Sequence, residues 1–482
     1  MVKSIGNVQK DAQVRAVASG ALANGNTVIV NADDTVSVVA ETNISQAIGT
    51  PVATSSSNTN WFASAFDAVA NKVVLVFQQS NHLKAVVGTI SGTSISFGTI
   101  VNVDFNSYPT YASAAFDSNS NKVVISYADG GNSSRGQAVV GTVSGTSITF
   151  GTPVVFDSGG STEYTSTTFD SASNKIFIAF RGEGSTQGFG IVGTVSGTSI
   201  SFGSSTRFET GVTAEISCCF DSSNNKVVVA YRDQSNSFYG TAVVGTISGT
   251  SVSFGTPVVF YSGTNVSNAI TFDSSSNKVV IAWRAASNSN YGTAIVGTVS
   301  GTSITFGSSA TFESAYVQYV ASTFDSNANK VVISYQDNGN SNYGTLVVGT
   351  VSGTSISFGT AVVYETATTN QRTSVFDSVS NKVFVGYQDD GNSQAATGVV
   401  FQNASVETNL TSENFVGFAN SVYASGQSAA INSTCSVDRN QSGLTAGQKY
   451  YVQTDGSLGT TAADPSVEAG IAISATEILV KG

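Results

Sequence analysis

Residues 116–156 have the sequence FDSNSNKVVISYADGGNSSRGQAVVGTVSGTSITFGTPVVF. Its opening motif is Phe-Asp, then four residues ending in Asn, then Lys, and it occurs seven times in the chain. The motif begins at Phe66, Phe116, Phe169, Phe220, Phe272, Phe324 and Phe376, so successive copies are 50, 53, 51, 52, 52 and 52 residues apart. A repeat of this length is the size of one four-stranded propeller blade.

Each repeat predicts four β-strands. The first ends at the motif Phe and is made of small residues, while the run after the Lys is apolar on both faces, as in a strand covered by sheets on either side. The third and fourth strands flank a Ser-Gly hairpin turn, and the fourth alternates apolar and polar residues like a half-exposed strand. We therefore predict an all-β chain whose main part is a seven-bladed β-propeller. A β-solenoid and a string of small sandwiches are the alternatives.

The fourth strand is missing from the last repeat. The motif that contains it, Gly-Thr-[Val/Ile]-Ser-Gly-Thr-Ser, begins at Gly88, Gly141, Gly193, Gly245, Gly297 and Gly349, and no copy follows Phe376. Residues 44–53, ISQAIGTPVA, precede the first repeat and resemble the absent strand. This arrangement predicts that an N-terminal strand completes the last blade and closes a ring, which an open solenoid would not need.

Composition excludes several classes of protein. The net charge is −11 and only 11% of residues are charged, which argues against a general nucleic-acid-binding protein. No run of about 18 apolar residues predicts a membrane-spanning helix. The first twenty residues lack the apolar core of a signal peptide, and three cysteines are too few for a disulfide framework. We predict no membrane insertion, no nucleic-acid partner and no cofactor.

The two ends of the chain depart from the repeat. We predict an N-terminal arm over 1–18 that becomes ordered only against a neighbour, and a β-hairpin over 19–43 that turns near Asp33 and Asp34. The propeller is expected over 44–402 and a small C-terminal β domain over 403–482, with Asp455-Gly456 as a hairpin turn. If the ring closes as predicted, both ends leave from the same blade and form one domain together.

These ends also carry a resemblance. The opening ALANGNTVIVNADDTVSVV and the segments LTSENFVGFA, GLTAGQKYYVQTDGSL and AGIAISATEILVKG resemble terminal modules of virion proteins from marine tailed bacteriophages. In such proteins similar modules flank repeats like those of this chain. The resemblance implies a structural protein on the particle surface, such as a tail fibre, spike or head decoration protein. It brings no catalytic residues with it.

Side chains that could support chemistry each have a simpler interpretation. The motif aspartates could suggest calcium, but each turn offers one carboxylate beside a Lys, whereas calcium needs six to eight oxygen ligands. We predict instead that each Asp accepts backbone N–H groups and forms a weak pair with that Lys. His82 is the single histidine, so zinc sites and nucleophile systems that need a second histidine lose their usual base, and we interpret it as a lone surface residue. Cys218 and Cys219 are interpreted as small core residues. No metal site and no catalytic residue are predicted.

A sharper pattern lies twelve residues after each motif Phe. Three consecutive repeats carry Arg181, Arg232 and Arg284 there, each after an aromatic residue. In a ring these arginines would share one sector of one face and could bind sulfate, carboxylate or a sugar ring. The alternative is local ion pairs, for instance with Glu183 or Asp233.

Together with this resemblance, the sequence predicts a non-enzymatic virion surface protein. Its terminal modules would attach it to other virion proteins, in several copies or as a homo-oligomer, and its propeller would contact host-surface glycans through many weak contacts. A bacterial surface adhesin or matrix propeller is one alternative. A glycan-cleaving propeller enzyme is another, although no Glu or Tyr recurs beside the arginines as such chemistry requires.

Overall fold

The computed structural model describes residues 12–55, 57–104, 108–182, 184 and 186–481. It divides into two units, Gln46–Asn403 and a second unit of Met1–Ser45 with Ala404–Gly482. Almost all regular structure is β, and the helices described are three single 3-10 turns, Gly130–Asn132, Asn338–Asn340 and Asp390–Asn392. None of the helices in the described part of the chain is long and apolar enough to cross a bilayer.

The unit Gln46–Asn403 contains all seven repeats, and the strands of each repeat follow the same order. First strands are Thr59–Asp67, Pro109–Asp117, Glu163–Asp170, Thr213–Asp221 and the ends of Val258–Asp273, Ala310–Asp325 and Val362–Asp377. Second strands are Lys72–Gln79, Lys122–Asp129, Lys175–Gly182, Lys226–Asp233, Lys278–Ala285, Lys330–Asp337 and Lys382–Asp389. Third strands are His82–Ser91, Arg135–Ser144, Gln187–Ser196, Tyr239–Ser248, Tyr291–Ser300, Tyr343–Ser352 and Ala395–Gln402.

The fourth strands are short and are followed by an outer segment. They are Ser94–Phe97, Ser147–Phe150, Ser199–Phe202, Ser251–Phe254, Ser303–Phe306 and Ser355–Phe358. The outer segments are Val101–Asn102, Val154–Asp157, Thr206–Glu209 and the beginnings of the three long strands that start at Val258, Ala310 and Val362. Neighbouring strands within a repeat pair antiparallel, as when Phe116 faces Val123 and Gly141 faces Phe150.

The motif aspartates hold the turn between the first and second strands. Each carboxylate accepts the backbone N–H groups of the residues two and three positions later, as Asp117 does from Asn119 at 2.9 Å and Ser120 at 3.1 Å. The same pair of bonds forms at Asp67, Asp170, Asp221, Asp273, Asp325 and Asp377. The predicted role in the turn is confirmed. The expected Asp–Lys pair is wrong, since the salt bridges of the described residues do not include the motif lysines.

N-terminal residues supply the strand that the last repeat lacks, as predicted. Ala47–Ile48 and Val52–Ala53 pair with the third strand of that repeat, with Ile48 facing Phe401 and Val52 facing Gly398. Gly49 donates its N–H to the carbonyl of Val400 at 2.9 Å, which matches the bond from Gly98 to Val87 in the first repeat. The N-terminal segment therefore occupies the place that a fourth strand takes elsewhere.

The core of this unit lies between adjacent repeats. The second strands are almost wholly buried, and apolar clusters join each repeat to the next along the chain. A further cluster joins the last repeat to the first through Phe62, Phe66, Phe384 and Val400. Full burial of one such aromatic side chain contributes about 1.5–3 kcal/mol.

The second unit is built from both ends of the chain. One sheet has the order Gln13–Val17, Ser428–Asn432, Phe415–Ala419, Thr27–Val30 and Val36–Val38, and Glu41–Ile44 pairs with Ser405–Thr408. Another sheet has the order Val437–Asp438, Ile478–Val480, Val467–Ala472, Lys449–Val452 and Leu458–Gly459. The hairpin turns at Asp33 and at Asp455-Gly456 form as predicted.

The N-terminal arm is the exception to these predictions. Residues 13–17 were expected to become ordered only against another protein. Instead they form an edge strand against 428–432 of the same chain, with Val14 facing Ile431. All five residues of this strand pair in register with the C-terminal module. Residues 1–11 of the predicted arm lie outside the described residues.

Candidate functional site

One position in every repeat has an unusual backbone conformation. It lies five residues before the motif Phe, in the first strand, where the pairing with the second strand slips. The residues at this position, called the bulge residues below, are Trp61, Tyr111, Tyr164, Glu215, Ser267, Tyr319 and Gln371. The φ angle is 51° to 54° at six of them and 28° at Gln371. A positive φ is costly for aromatic residues, and its recurrence marks a built-in β-bulge that redirects the side chain.

All seven bulge residues line a single cavity of about 470 Å³. Their neighbours Phe62, Ala112, Val266, Asn268, Gln318 and Val320 complete its wall together with Arg284 and Arg372. A cavity of this size lies within the range of small-molecule sites, about 300–1,000 Å³. We call it the bulge cavity.

Aromatic rings form one side of the bulge cavity. The ring centroids of Trp61 and Tyr111 are 4.4 Å apart, and those of Tyr111 and Tyr164 are 4.9 Å apart. Burial raises the pKa of the Tyr111 and Tyr164 hydroxyls, so both remain neutral hydrogen-bond donors at physiological pH. These three residues, the aromatic arc, offer a continuous apolar wall with polar tips.

Hydrogen bonds between repeats hold the wall in place. The backbone N–H of Trp61 donates to Oε1 of Gln371 at 2.7 Å, which joins the first repeat to the last. Glu215 accepts the backbone N–H of Ser267 at 3.1 Å through its carboxylate, and its carbonyl accepts Nδ2 of Asn268 at 3.0 Å. Because backbone groups set these positions, the cavity is preorganised.

The predicted arginines have different surroundings. Arg181 pairs with Glu163 at 3.2 Å, and Arg232 lies 3.8 Å from Glu215, so these two arginines form local ion pairs, as in the alternative interpretation, but with a carboxylate other than Asp233. The other partner named from sequence, Glu183, lies outside the described residues. Of the three arginines only Arg284 lines the bulge cavity, where it donates to Oη of Tyr316 at 2.6 Å.

The position of these arginines also links neighbouring repeats. Arg181 donates to the carbonyl of Thr213 at 3.3 Å, and Arg232 donates to that of Asn265 at 3.5 Å. Two of the three glutamines at this position form the same bond, from Gln336 to Thr369 at 2.5 Å and from Gln388 to Thr59. Each acceptor lies seven residues before the motif Phe of the next repeat in order, and Thr59 belongs to the first.

The remaining candidates lie away from the cavity. Cys218 and Cys219 are buried in the first strand of the fourth repeat, as predicted for small core residues, and Cys435 is exposed. His82 starts a third strand and is partly buried. Within the ranges that the structure describes, no three His, Cys, Asp or Glu side chains group closely enough to hold a metal ion.

The bulge residues were missed from the sequence because their identities vary. Aligning the seven repeats on the motif Phe would have revealed Trp or Tyr at one position in four of them. That recurrence was the available signal.

Comparison with known proteins shows a likeness of fold and no matching sequence family. No protein-family model and no curated protein sequence matches the chain. The structure is similar to the BP39L lectin of Burkholderia pseudomallei, with a TM-score of 0.56 and 10% identity over 74% of this chain and 98% of the lectin. The Dos1 propeller matches with a TM-score of 0.47 and 11% identity over 75% of this chain and 96% of its own. The SapL1 lectin, solved with alpha methyl fucoside, matches with a TM-score of 0.42 and 11% identity over 64% of this chain and 96% of its own. With its repeats of antiparallel strands, Gln46–Asn403 has a β-propeller fold.

Proposed function

We propose that Gln46–Asn403 form a closed, seven-bladed β-propeller and that the bulge cavity, at its axis, binds carbohydrate. Closure is supported by the strand pairing of residues 47–53 with the last repeat and by the apolar cluster between the last and first repeats. The cavity supports the count of seven, because the same position of every repeat contributes one side chain to it.

The aromatic arc is the observation that carries the proposal of carbohydrate binding. A sugar ring has an apolar face that packs on Trp and Tyr, while its hydroxyl groups need hydrogen-bond partners nearby. The amide side chains of Asn268, Gln318 and Gln371 line the same cavity and supply both donors and acceptors. The buried amide oxygen of Asn268 has no partner in the described structure, so a ligand hydroxyl could satisfy it. The fold shared with the Burkholderia lectin is consistent with this function.

The site is proposed to bind without cleaving. Hydrolysis of a glycosidic bond commonly uses two carboxyl groups on either side of the bond. Among the described residues that line the cavity, only Glu215 has a carboxylate, and it lies beside Arg232 and accepts the N–H of Ser267. A screen for hydrolysis of host polysaccharide tests this directly, and release of reducing ends that requires Glu215 would establish an enzyme.

We further propose that the protein belongs to the surface of a virus particle. The support is the resemblance of both chain ends to terminal modules of phage virion proteins, and the second unit, made from those ends, is the proposed attachment module. Many copies of the propeller would then contact host glycans, each of them weakly. A bacterial surface adhesin would use the same cavity, and immunogold labelling of purified particles distinguishes the two.

Serine substitutions on the aromatic arc test carbohydrate binding. Ser267 already occupies the bulge position with a φ of 54°, so Trp61→Ser, Tyr111→Ser and Tyr164→Ser suit the local backbone. For glycans that the wild-type protein binds, we expect each substitution to lower the affinity by about tenfold or more, as loss of an aromatic contact at a binding hot spot does. Phe238→Ser is the matched control, since Phe238 is 46% exposed and lies outside the cavity. Equal loss in the control, or no loss on the arc, would refute the site.

A further inference from the structure

Arg372 is a buried cation at a position that is neutral in every other repeat. It follows the bulge residue of the last repeat and lines the bulge cavity with only 8% of its surface exposed. The equivalent residues are Phe62, Ala112, Thr165, Ile216, Asn268 and Val320. A repeat that tolerates apolar residues here has no need of arginine for folding, and a buried charge is costly unless it is paired.

The contacts of Arg372 are all to neutral groups. Nη1 donates to Oη of Tyr364 at 3.2 Å, and Nη2 donates to the carbonyl of Thr369 at 3.2 Å and to its Oγ1 at 3.0 Å. Nε is buried without a hydrogen-bond partner. In the described structure no carboxylate lies within salt-bridge distance of this guanidinium, and burial lowers its pKa. The guanidinium is held by three hydrogen bonds, and its positive charge is not neutralised.

Arg284 adds a second cation of the same kind to the cavity. Its guanidinium donates to Tyr316 and lies 5.0 Å from the centre of that ring, and its Nε also lacks a partner. By contrast, Arg181 and Arg232 lie beside Glu163 and Glu215. Two cations with neutral partners therefore line a cavity whose described carboxylate is already beside an arginine, in a chain of net charge −11.

We propose that the bulge cavity selects an anionic saccharide, whose carboxylate or sulfate is attracted by Arg284 and Arg372 while its ring packs on the aromatic arc. This inference rests on the proposed carbohydrate-binding function and specifies its ligand class. Guanidinium groups bind both anions through charge-assisted hydrogen bonds, and low solvent exposure strengthens that attraction. A neutral sugar would leave the charge of Arg372 uncompensated.

Paired probes that differ only in charge test the inference on the intact chain. Oligogalacturonate is compared with its methyl ester, and κ-carrageenan oligosaccharide is compared with its desulfated form, by calorimetric titration. We expect the acidic member of at least one pair to bind about ten- to a hundredfold more tightly, the range of one or two charge-assisted hydrogen bonds. The pair that discriminates identifies carboxylate or sulfate as the group bound. Affinity should fall as salt is added.

Substitutions assign the effect to the two arginines. Arg284→Gln introduces the residue that Gln336 and Gln388 provide in other repeats, and Arg372→Val introduces the residue of Val320. Each should remove most of the preference for the acidic probe, while Arg207→Gln, an exposed arginine outside the cavity, should keep it. Circular dichroism checks folding, and if Arg372→Val unfolds, Arg284→Gln and the charge-paired probes still decide.

Equal affinity for the acidic and neutral members of both pairs overturns the inference, as does an unchanged preference in Arg284→Gln. That failure is distinct from failure of the proposed function. If the wild type binds acidic and neutral probes equally and Trp61→Ser weakens both, the cavity binds carbohydrate without selecting charge. If arc substitutions affect no probe, the carbohydrate site itself is wrong.

Discussion

A Cβ atom placed on Gly49 would collide with the backbone carbonyl oxygen of Thr93. Gly49 lies between the two short N-terminal strands that pair with the last repeat, whereas Thr93 lies in the Ser-Gly-Thr hairpin of the first. The same contact joins Gly98 to Thr146, Gly151 to Thr198, Gly203 to Thr250, Gly255 to Thr302 and Gly307 to Thr354. The junction of last and first repeats thus repeats the geometry found between consecutive repeats. Gly359 is different because the last repeat lacks this hairpin.

Gly49→Ala should destabilise the protein, since its methyl group can be accommodated only if the last and first repeats move apart. We expect the free energy of unfolding to fall by about 2–3 kcal/mol, as for other substitutions that force backbone apart in a packed region. Gly359→Ala is the matched control and should change it by less than about 0.5 kcal/mol. Denaturant unfolding of both variants makes the measurement, and equal stabilities would contradict closure at Gly49.

The unit Gln46–Asn403 should fold without the chain ends. Its apolar clusters lie within the unit, so a chain of residues 46–403 should remain soluble, keep a cooperative thermal transition and bind the same glycans. Under the virion proposal it should not join particles, whereas a fusion carrying 12–45 and 404–481 should join them. Incorporation is measured by immunoblotting of purified particles. Incorporation of the bare propeller would show that the anchor lies on the propeller and not on the second unit.

Four buried tyrosines should make the free energy of unfolding fall at alkaline pH. Their hydroxyls donate to carboxylates, in the pairs Tyr127–Asp104, Tyr231–Glu209, Tyr335–Glu313 and Tyr387–Glu365, at 2.7 to 3.1 Å. Burial, and then the adjacent carboxylate, raise the pKa of each tyrosine above its ordinary value of 10. Below pH 10 both folded and unfolded chains keep these protons. Above it the unfolded chain releases protons that the folded chain retains, so the free energy of unfolding falls.

Each tyrosine should add a slope of up to about 1.4 kcal/mol per pH unit above pH 10. Tyr387→Phe, which introduces the residue that Phe77 and Phe180 provide at the same position, should reduce this slope while losing about 1 kcal/mol at pH 7. Urea unfolding between pH 8 and pH 12 makes the measurement. An identical slope in the variant would show that Tyr387 is not protected in the folded state.

The cysteines should react according to burial. Burial raises the pKa of Cys218 to about 12, and it raises that of Cys219 as well, so neither thiol ionises at neutral pH, whereas Cys435 is exposed. An uncharged maleimide should label one thiol in the native protein and three after unfolding, and Cys435→Ser should remove the native label. Mass spectrometry counts the adducts. A single reactive thiol in the unfolded, unreduced protein would instead reveal a disulfide between Cys218 and Cys219.

The repeat made most of the strand order predictable from sequence, because each Asp turn and Ser-Gly hairpin has a local cause. The pairing of Ile48 with Phe401 was predictable for the same reason, because a motif expected in seven repeats occurs in only six of them. The bulge cavity was not, since a positive φ at Tyr111 or Tyr164 depends on a slip between paired strands that no single residue encodes. The shared position of the three arginines in their repeats could be read from the sequence. The bonds of Arg181 and Arg232 to the next repeat could not, because the carbonyl groups that accept them are distant in sequence.

Fluorescence of Trp61 tests the central claim, that the bulge cavity binds carbohydrate. The chain has two tryptophans, and Trp283 is fully buried, with Phe77 and Phe180 at its position in other repeats. Trp283→Phe therefore leaves Trp61 as a single reporter in the cavity wall. Titration with a bound oligosaccharide should change its emission, saturating at the dissociation constant that calorimetry gives. Calorimetric binding with no change in Trp61 emission, and with unaltered affinity in Trp61→Ser, would contradict the account.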